Sequence, residues 1–224
     1  MSVQVFVTGI GTDVGKTVVA AALVHLLKAA YWKPIQTGAE GTTDSSTIKQ
    51  LTSHCSHIFP ERYRLHAPLS PHAAAHLQGI TLDIDFTLPE TSENLVVEGA
   101  GGLMVPINDT TLVIDLIAHL HIPAILVSRH YLGSINHTLL SLEALLNRDI
   151  PVAGIVFVGQ ELPATEEAIL KRYPEIPAVT VPWYSNLSDV EIAQIATILL
   201  PLGIATNSLL VDTRKGRLTR DGDN

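Results

Sequence analysis

Near the start of the chain, the run GIGTDVGKT (residues 9–17) sets a lysine and a threonine, Lys16 and Thr17, directly after a glycine-bearing loop. Those residue types in that order can hold a polyphosphate. Backbone N–H groups of such a loop converge on an anion, and the start of the next helix adds partial positive charge. Lys16 would then reach terminal phosphate oxygens, and the Thr17 hydroxyl would hold Mg2+. The spacing departs from the common loop by one residue, because five residues separate Gly9 from Gly15. Asp13 is out of place among phosphates, since a carboxylate there is repelled unless it faces a cation or water. It either points outward or meets a positively charged group of a substrate.

Two further stretches carry candidate chemistry. LVVEGAGG (95–102) puts Glu98 at the end of an apolar run and follows it with Gly99, Ala100 and Gly101. Acids at a strand end beside a phosphate loop hold Mg2+ directly or through water, and glycines let backbone approach a ligand. A plain turn acid is the other reading. KPIQTG (33–38) offers Lys33 and Thr37, and Pro34 biases Lys33 toward an extended conformation. A single lysine is ordinarily solvated, so this one needs support from elsewhere. Asp44 opens DSSTIKQL either as a helix N-cap or as a metal ligand.

The elements that must position these residues are legible as alternating patterns. Strands are expected at 3–8, 31–36, 94–98, 123–128, 152–158 and 177–181. Helices are expected near 16–28, 45–53, 71–77, 112–120, 135–147, 164–171 and 188–199. Several strand runs are continuously apolar, as in a parallel sheet covered by helices on both faces. The pattern is α/β with right-handed crossovers, in a single domain over 1–210. The segment 54–93 reads as an excursion between two strands, and the polar tail 211–224 is expected to be flexible.

Composition narrows the functional classes. A net charge of −8 leaves no broad basic face, so no nucleic-acid partner is expected. The apolar run TVVAAALVHLL is too short to span a bilayer, and the opening MSVQVFVTG is already a strand pattern, so no membrane segment or leader is expected. The lone cysteine, Cys55, fits a reducing, cytoplasmic setting. His72, His130 and His137 lack metal-ligand spacing. His72 reads as bracing the SPH turn and His137 as lying on the first turn of a helix. Trp32 and Trp183 read as core or rim packing, or as pocket walls.

The segments VTGIGTDVGKT, YWKPIQTG, APLSPHAA, VVEGAGGLMVPI and LGSINHTLL occur in this order, and VPW follows at 181–183. Together they resemble the dethiobiotin synthetase family, whose loop has five residues between its glycines. The resemblance implies a P-loop NTPase-like fold, a homodimer, and a ligase reaction with Mg2+ and ATP. In that reaction 7,8-diaminononanoate, CO2 and ATP give dethiobiotin, ADP and phosphate. Carried over by position, Thr12, Asp13, Val14, Gly15, Lys16 and Thr17 cradle the phosphates. Thr17, Asp44 and Glu98 organise Mg2+. Lys33, Lys16 and Thr12 are the catalytic set, and Thr37 contacts substrate. Gly133, Ser134, Ile135 and Asn136 correspond to the site for the substrate carboxylate, reached across the dimer interface. Gly99, Ala100, Gly101, Val158, Gly159, Val181, Pro182 and Trp183 complete the nucleotide site.

The sequence departs from the family in three places. The first loop aspartate of the family falls at Gly11. The asparagine that reads adenine falls at Val158, whose side chain cannot hydrogen-bond a base. A weaker adenine preference follows, with Gln160 or backbone around Val181 to Trp183 as substitutes. The connection LLKAAYWKP leaves about two residues of loop, at the short end of normal, which suggests a truncated second strand or a displaced Lys33. Two other readings are a dimeric P-loop ATPase switch of the partitioning type and a related amidoligase. The first resembles loops with an early lysine, which residues 9–15 lack; the second leaves KPIQTG with SPHAA unexplained.

Overall fold

Valine, isoleucine and leucine runs with no room for a polar face make the centre of this molecule. The computed structural model describes residues 2–53 and 55–204, so the tail expected at 211–224 lies outside the described residues. In chain order the elements are β1 (Gln4–Gly9), α1 (Lys16–Leu27), β2 (Ala30–Trp32), β3 (Ile35–Gln36), α2 (Asp44–Leu51), β4 (Ile58–Phe59), β5 (Tyr63–Arg64) and α3 (Pro71–Leu77). There follow β6 (Leu95–Glu98), α4 (Val113–Leu120), β7 (Ala124–Arg129), α5 (Ser134–Leu146), β8 (Val152–Val158), α6 (Pro163–Leu170), β9 (Ala178–Val181) and α7 (Asp189–Ile198). Seven of the strands form one sheet, in the order β4-β2-β6-β1-β7-β8-β9, and every pairing in it is parallel.

Each central strand divides its side chains between two cores. On one side Val5, Val7 and Val96 pack with α1, α2 and α7 through residues such as Leu23, Ile48 and Ile195. On the other, Phe6, Leu95 and Val97 pack with α3, α4, α5 and α6 through Ala74, Ile117, Leu142 and Ile169. Burial on both faces is why these strands read as unbroken apolar runs rather than alternating ones. All strands of the main sheet point the same way, so the loops after β1, β6 and β7 gather at one edge, where ligands of open α/β sheets bind.

Two local expectations are corrected. The run 31–36 is not one strand: it breaks at Lys33–Pro34, and β3 leaves the main sheet to pair in parallel with β5. Proline has no N–H to give a ladder, and its carbonyl instead accepts from Tyr63 N at 2.9 Å. β4 and β5, two residues each, carry no periodicity of their own and exist through long-range pairing, β4 with β2 and β5 with β3. The N-cap of α2 is Thr43 rather than Asp44. Thr43 Oγ1 accepts from Ser46 N at 3.2 Å and Ser46 Oγ accepts from Thr43 N at 2.9 Å, a reciprocal capping box. The Asp44 carboxylate is thereby free for other work. The short α1–β2 connection closes without glycine because Lys28 takes φ 49° and Ala29 N donates back to Val24 O at 3.0 Å. β2 is indeed brief, at three residues. Among the described residues no helix is long and apolar enough to cross a membrane.

Candidate active site

The loop after β1 turns sharply into α1. Gly15 is the N-cap of α1 at φ 98°, where only glycine is unstrained. A Cβ on Gly9 would stand 2.6 Å from Val14 Cγ2, so the loop start must also lack a side chain. Thr12 and Asp13 are exposed, and Asp13 occupies a left-handed turn position at φ 56°. Its side chain is therefore on the outward-facing part of the loop. Lys16 is almost wholly buried and folds back so that Nζ donates to Gly11 O at 2.8 Å. Burial, reinforced by repulsion from Lys33, pushes its pKa down to about 8.

One face of the sheet assembles the charged cluster. Strand side chains alternate with period two, so Tyr31 and Lys33 share a face, as do Val96 and Glu98. That face is covered by α1 and α2, which bring Thr17 and Asp44. Lys33 Nζ lies 2.6 Å from Asp44 Oδ2, 3.1 Å from Glu98 Oε1 and 2.8 Å from Gly99 O. Thr17 Oγ1 lies 2.9 Å from both Asp44 Oδ1 and Glu98 Oε1, and its single proton can go to only one of them at a time. Tyr31 O–H donates to Glu98 Oε2 at 2.8 Å.

Lys33 is 3% exposed, so the reading of an ordinary solvated lysine is overturned. Burial opposes its charge, but the Glu98 and Asp44 carboxylates outweigh it and raise its pKa above the usual lysine value. The Asp44 carboxyl is held below the usual range: burial pushes it up, and Lys33 and Thr17 push it down further. Glu98 is 1% exposed and is more than a turn acid.

The donor set of Thr17, Asp44 and Glu98, one hydroxyl and two carboxylates, fits Mg2+, which prefers hard oxygen ligands and takes the rest of its octahedron from water and phosphate. No group of three or more His, Cys, Asp or Glu side chains gathers as a metal cage among the described residues. A fully proteinaceous metal site is therefore not what this cluster offers.

Cavities lie at the loop, along the start of α5 and beside the end of β8. One of about 370 Å³ is lined by Gly11, Thr12, Asp13, Val14, Arg129 and His130. A second, of about 720 Å³, runs along the start of α5, lined by Tyr131, Leu132, Gly133, Ser134, Ile135 and Asn136. Gly133, at φ 106°, is the N-cap there; Ser134 is buried and Asn136 exposed. The third, of about 230 Å³, is lined by Arg129, Val158, Gly159, Gln160 and Trp183. It adjoins a slot of about 80 Å³ between Gly15, Val181, Pro182, Trp183 and Tyr184. Val158 is buried and buttresses the loop, with both its Cγ atoms 3.4 Å from where a Gly15 Cβ would stand. Trp183 is 55% exposed, with the Arg129 guanidinium 4.3 Å from its ring centroid, and Arg129 Nη1 reaches Asp13 O at 3.4 Å. Trp32 belongs to the core, its Nε1 donating to Pro60 O. Thr37 is half-buried beside Gln36, whose Oε1 accepts from Asp44 N at 3.0 Å.

Sequence reasoning missed Tyr31, Arg129 and Tyr184. Tyr31 had a signal, lying two residues before Lys33 and so on the same strand face; Arg129 and Tyr184 had none. Of the histidines, His72 Nδ1 is 3.1 Å from Ser70 Oγ in the SPH turn, and His137 lies on the first turn of α5, 2.6 Å from Tyr131 Oη.

The chain matches the sequence model of a family described as "AAA domain" over residues 3–191. It is 55% identical over 168 residues to the ATP-dependent dethiobiotin synthetase BioD of Christiangramia forsetii, covering 74% of this chain and 81% of that protein. It is 50% identical over 184 residues to the protein of the same name from Brucella ovis, covering 79% and 87%. Among solved structures, a ParA family ATPase from Chlorobium tepidum aligns at TM-score 0.50 and 13% identity, covering 95% of this chain and 97% of that one, which bears on the fold alone.

Proposed function

Because this chain belongs to the ATP-dependent dethiobiotin synthetase family, we propose that its two buried lysines serve one phosphoryl transfer to a carbamate. The chain is a ligase of biotin biosynthesis, and it uses ATP. The observation that carries the site assignment is the Lys33 ammonium, buried between Asp44 at 2.6 Å and Glu98 at 3.1 Å beside the phosphate loop.

The substrate is a vicinal diamine. One amine captures CO2 as a carbamate, which is anionic and a poor nucleophile, and it must approach a still more negative γ-phosphate. Lys16 and Lys33 lower that repulsion and stabilise charge on the transferring group. Lys33 stays protonated at neutral pH, since its carboxylate partners raise its pKa; it acts as a fixed positive charge, not as a base. When bound through Thr17, Asp44 and Glu98, Mg2+ would neutralise phosphate charge. The resulting carbamic–phosphoric anhydride hydrolyses readily, so the second amine must already be near. Thr12 and Thr37 are the hydroxyls assigned to the phosphate and to substrate. The start of α5, Gly133 to Asn136, is assigned to the substrate carboxylate, as suits a helix N-terminus.

Homodimer formation belongs to the same reading. Leu132, fully exposed, and Ile135 and Leu140, also exposed, crowd the start of α5, and a second copy would cover them. The nucleotide base is assigned to the slot and cavity beside Val158 and Trp183. A cytoplasmic location rests on the lone Cys55.

Incubating the protein with the diamine, bicarbonate and Mg2+-ATP should release phosphate only when the diamine is present, with dethiobiotin detected by mass spectrometry. Turnover indifferent to the diamine would reject the reading and favour a nucleotide switch.

A further inference from the structure

Glu98 touches Thr17, Lys33 and Tyr31, yet nothing in the reaction explains how a carboxylate with only 1% exposure keeps one orientation. Its two oxygens have different partners. Oε1 receives Thr17 and Lys33, at 2.9 and 3.1 Å, while Oε2 faces the interior and receives only Tyr31, at 2.8 Å. The Tyr31 ring is completely buried in the core on the α1/α2 side, with Val96 and Ile48 in the same cluster. Its strand register beside Val96 aims the phenol along the sheet face toward the end of β6.

We propose that Tyr31 is a positioning residue: its hydroxyl pins Glu98 Oε2 so that Oε1 is held for Thr17, Lys33 and the Mg2+-nucleotide.

The physical reason is the cost of leaving a buried carboxylate oxygen unpaired, which exceeds the cost of turning the carboxylate. Without the phenol, Glu98 would rotate to share both oxygens with the nearest cation. That cation is Lys33, which would then leave its ties to Asp44 and Gly99 O. The hydroxyl prevents this by holding the far oxygen. The pattern Y-x-K at 31–33 is thus one device, with Lys33 supplying charge and Tyr31 fixing the carboxylate that holds it.

This inference rests on the assignment of Glu98 to the Mg2+-nucleotide, and the test separates the two. Nucleotide affinity is measured by calorimetry with Mg2+ and with EDTA, for wild type, Tyr31→Phe, Glu98→Gln and the double variant, alongside thermal unfolding and steady-state kinetics. In Tyr31→Phe we expect EDTA affinity within about twofold of wild type, the Mg2+-dependent gain in affinity reduced about tenfold, and kcat reduced about tenfold with KM for the diamine little changed. Adding Tyr31→Phe to Glu98→Gln should cost nothing further, since two residues acting through one contact are non-additive. A Tyr31→Phe protein that keeps the wild-type Mg2+ gain and kcat would overturn the proposal. So would equal losses in EDTA and Mg2+ with a lowered melting temperature, the pattern of a merely structural residue, or full additivity with Glu98→Gln. If wild type itself gains no affinity from Mg2+, the metal assignment fails first. Should Tyr31→Phe fold poorly alone, the comparison of Glu98→Gln with the double variant still decides, because only a residue acting through Glu98 becomes silent there.

Discussion

Nucleotide binding should draw a proton from solution at mildly alkaline pH, and Lys16 should be the group that takes it. Without nucleotide, the buried Lys16 ammonium donates to a backbone carbonyl, Gly11 O, and its pKa is about 8. A triphosphate would supply several negative oxygens and hold the lysine protonated throughout this range. At pH 8 about half the unliganded molecules lack the proton, so binding should take up about 0.5 proton; at pH 9 the uptake should be about 0.9, and at pH 6.5 only a few hundredths. Apparent affinity should weaken about twofold at pH 8 and about tenfold at pH 9 relative to neutral pH. Calorimetry of a non-hydrolysable ATP analogue in buffers of different ionisation enthalpy reads the uptake directly. In Lys16→Arg the charge is permanent and the uptake should vanish. The unliganded protein has the matching signature. The folded pKa lies below the unfolded value of 10.5, so the unfolded chain binds more protons between about pH 8 and 10.5, and stability rises with pH across that window. The gain, wild type minus Lys16→Met, should be at most about 3 kcal/mol. Uptake below about 0.1 proton at pH 8.5, or equal uptake in Lys16→Arg, would refute the reasoning.

Lys33→Gln should lower kcat by about 10²–10³, the usual loss on removing one charge-stabilising donor, while nucleotide affinity stays within about threefold; near-normal turnover would remove its catalytic role. Wild type should use ATP and CTP with kcat/KM values within about tenfold of each other, since the Val158 side chain offers no hydrogen bond; Val158→Asn should widen the ATP preference about tenfold. Strict ATP dependence in wild type would end that expectation. Asp13→Asn should leave stability within about 0.5 kcal/mol, because asparagine tolerates the left-handed φ of 56°. If Asp13 pairs with a substrate ammonium, the same variant should raise the KM for the diamine several-fold; an unchanged KM would dismiss the pairing.

Local sequence was enough wherever one residue's neighbours in the chain decide its state. The largely apolar runs at 3–8, 94–98, 123–128 and 152–158 point to a sheet covered on both faces, because such a sheet takes both side-chain rows of a strand out of water. The phosphate loop is equally local: its glycines, Lys16 and Thr17 are contiguous, and the strand before and helix after supply all the context it needs. Glu98 at a strand end and Lys33 before a proline-led stretch were visible as candidates, but each had a bland alternative that no neighbour in sequence could remove.

Only the tertiary structure removed those alternatives. Lys33, Asp44 and Glu98 are far apart in sequence, and they meet because β2 pairs with β6 while α1 and α2 cover the same face. Whether Lys33 is solvated or buried against two carboxylates depends on that pairing, and so does the direction of its pKa. The break of 31–36 at Pro34 was decided the same way, by a pairing of β3 with β5 that spans the chain between them. Asp44 lost the capping role to Thr43 through a box one residue earlier, which let its carboxylate face the lysine. Tyr31 is placed on the strand face of Lys33 by its spacing, but a tyrosine in an apolar strand is ordinary core until the partner of its hydroxyl is known. Charge stabilisation falls steeply with distance and depends on burial, and both quantities come from contacts between segments that the chain order leaves apart.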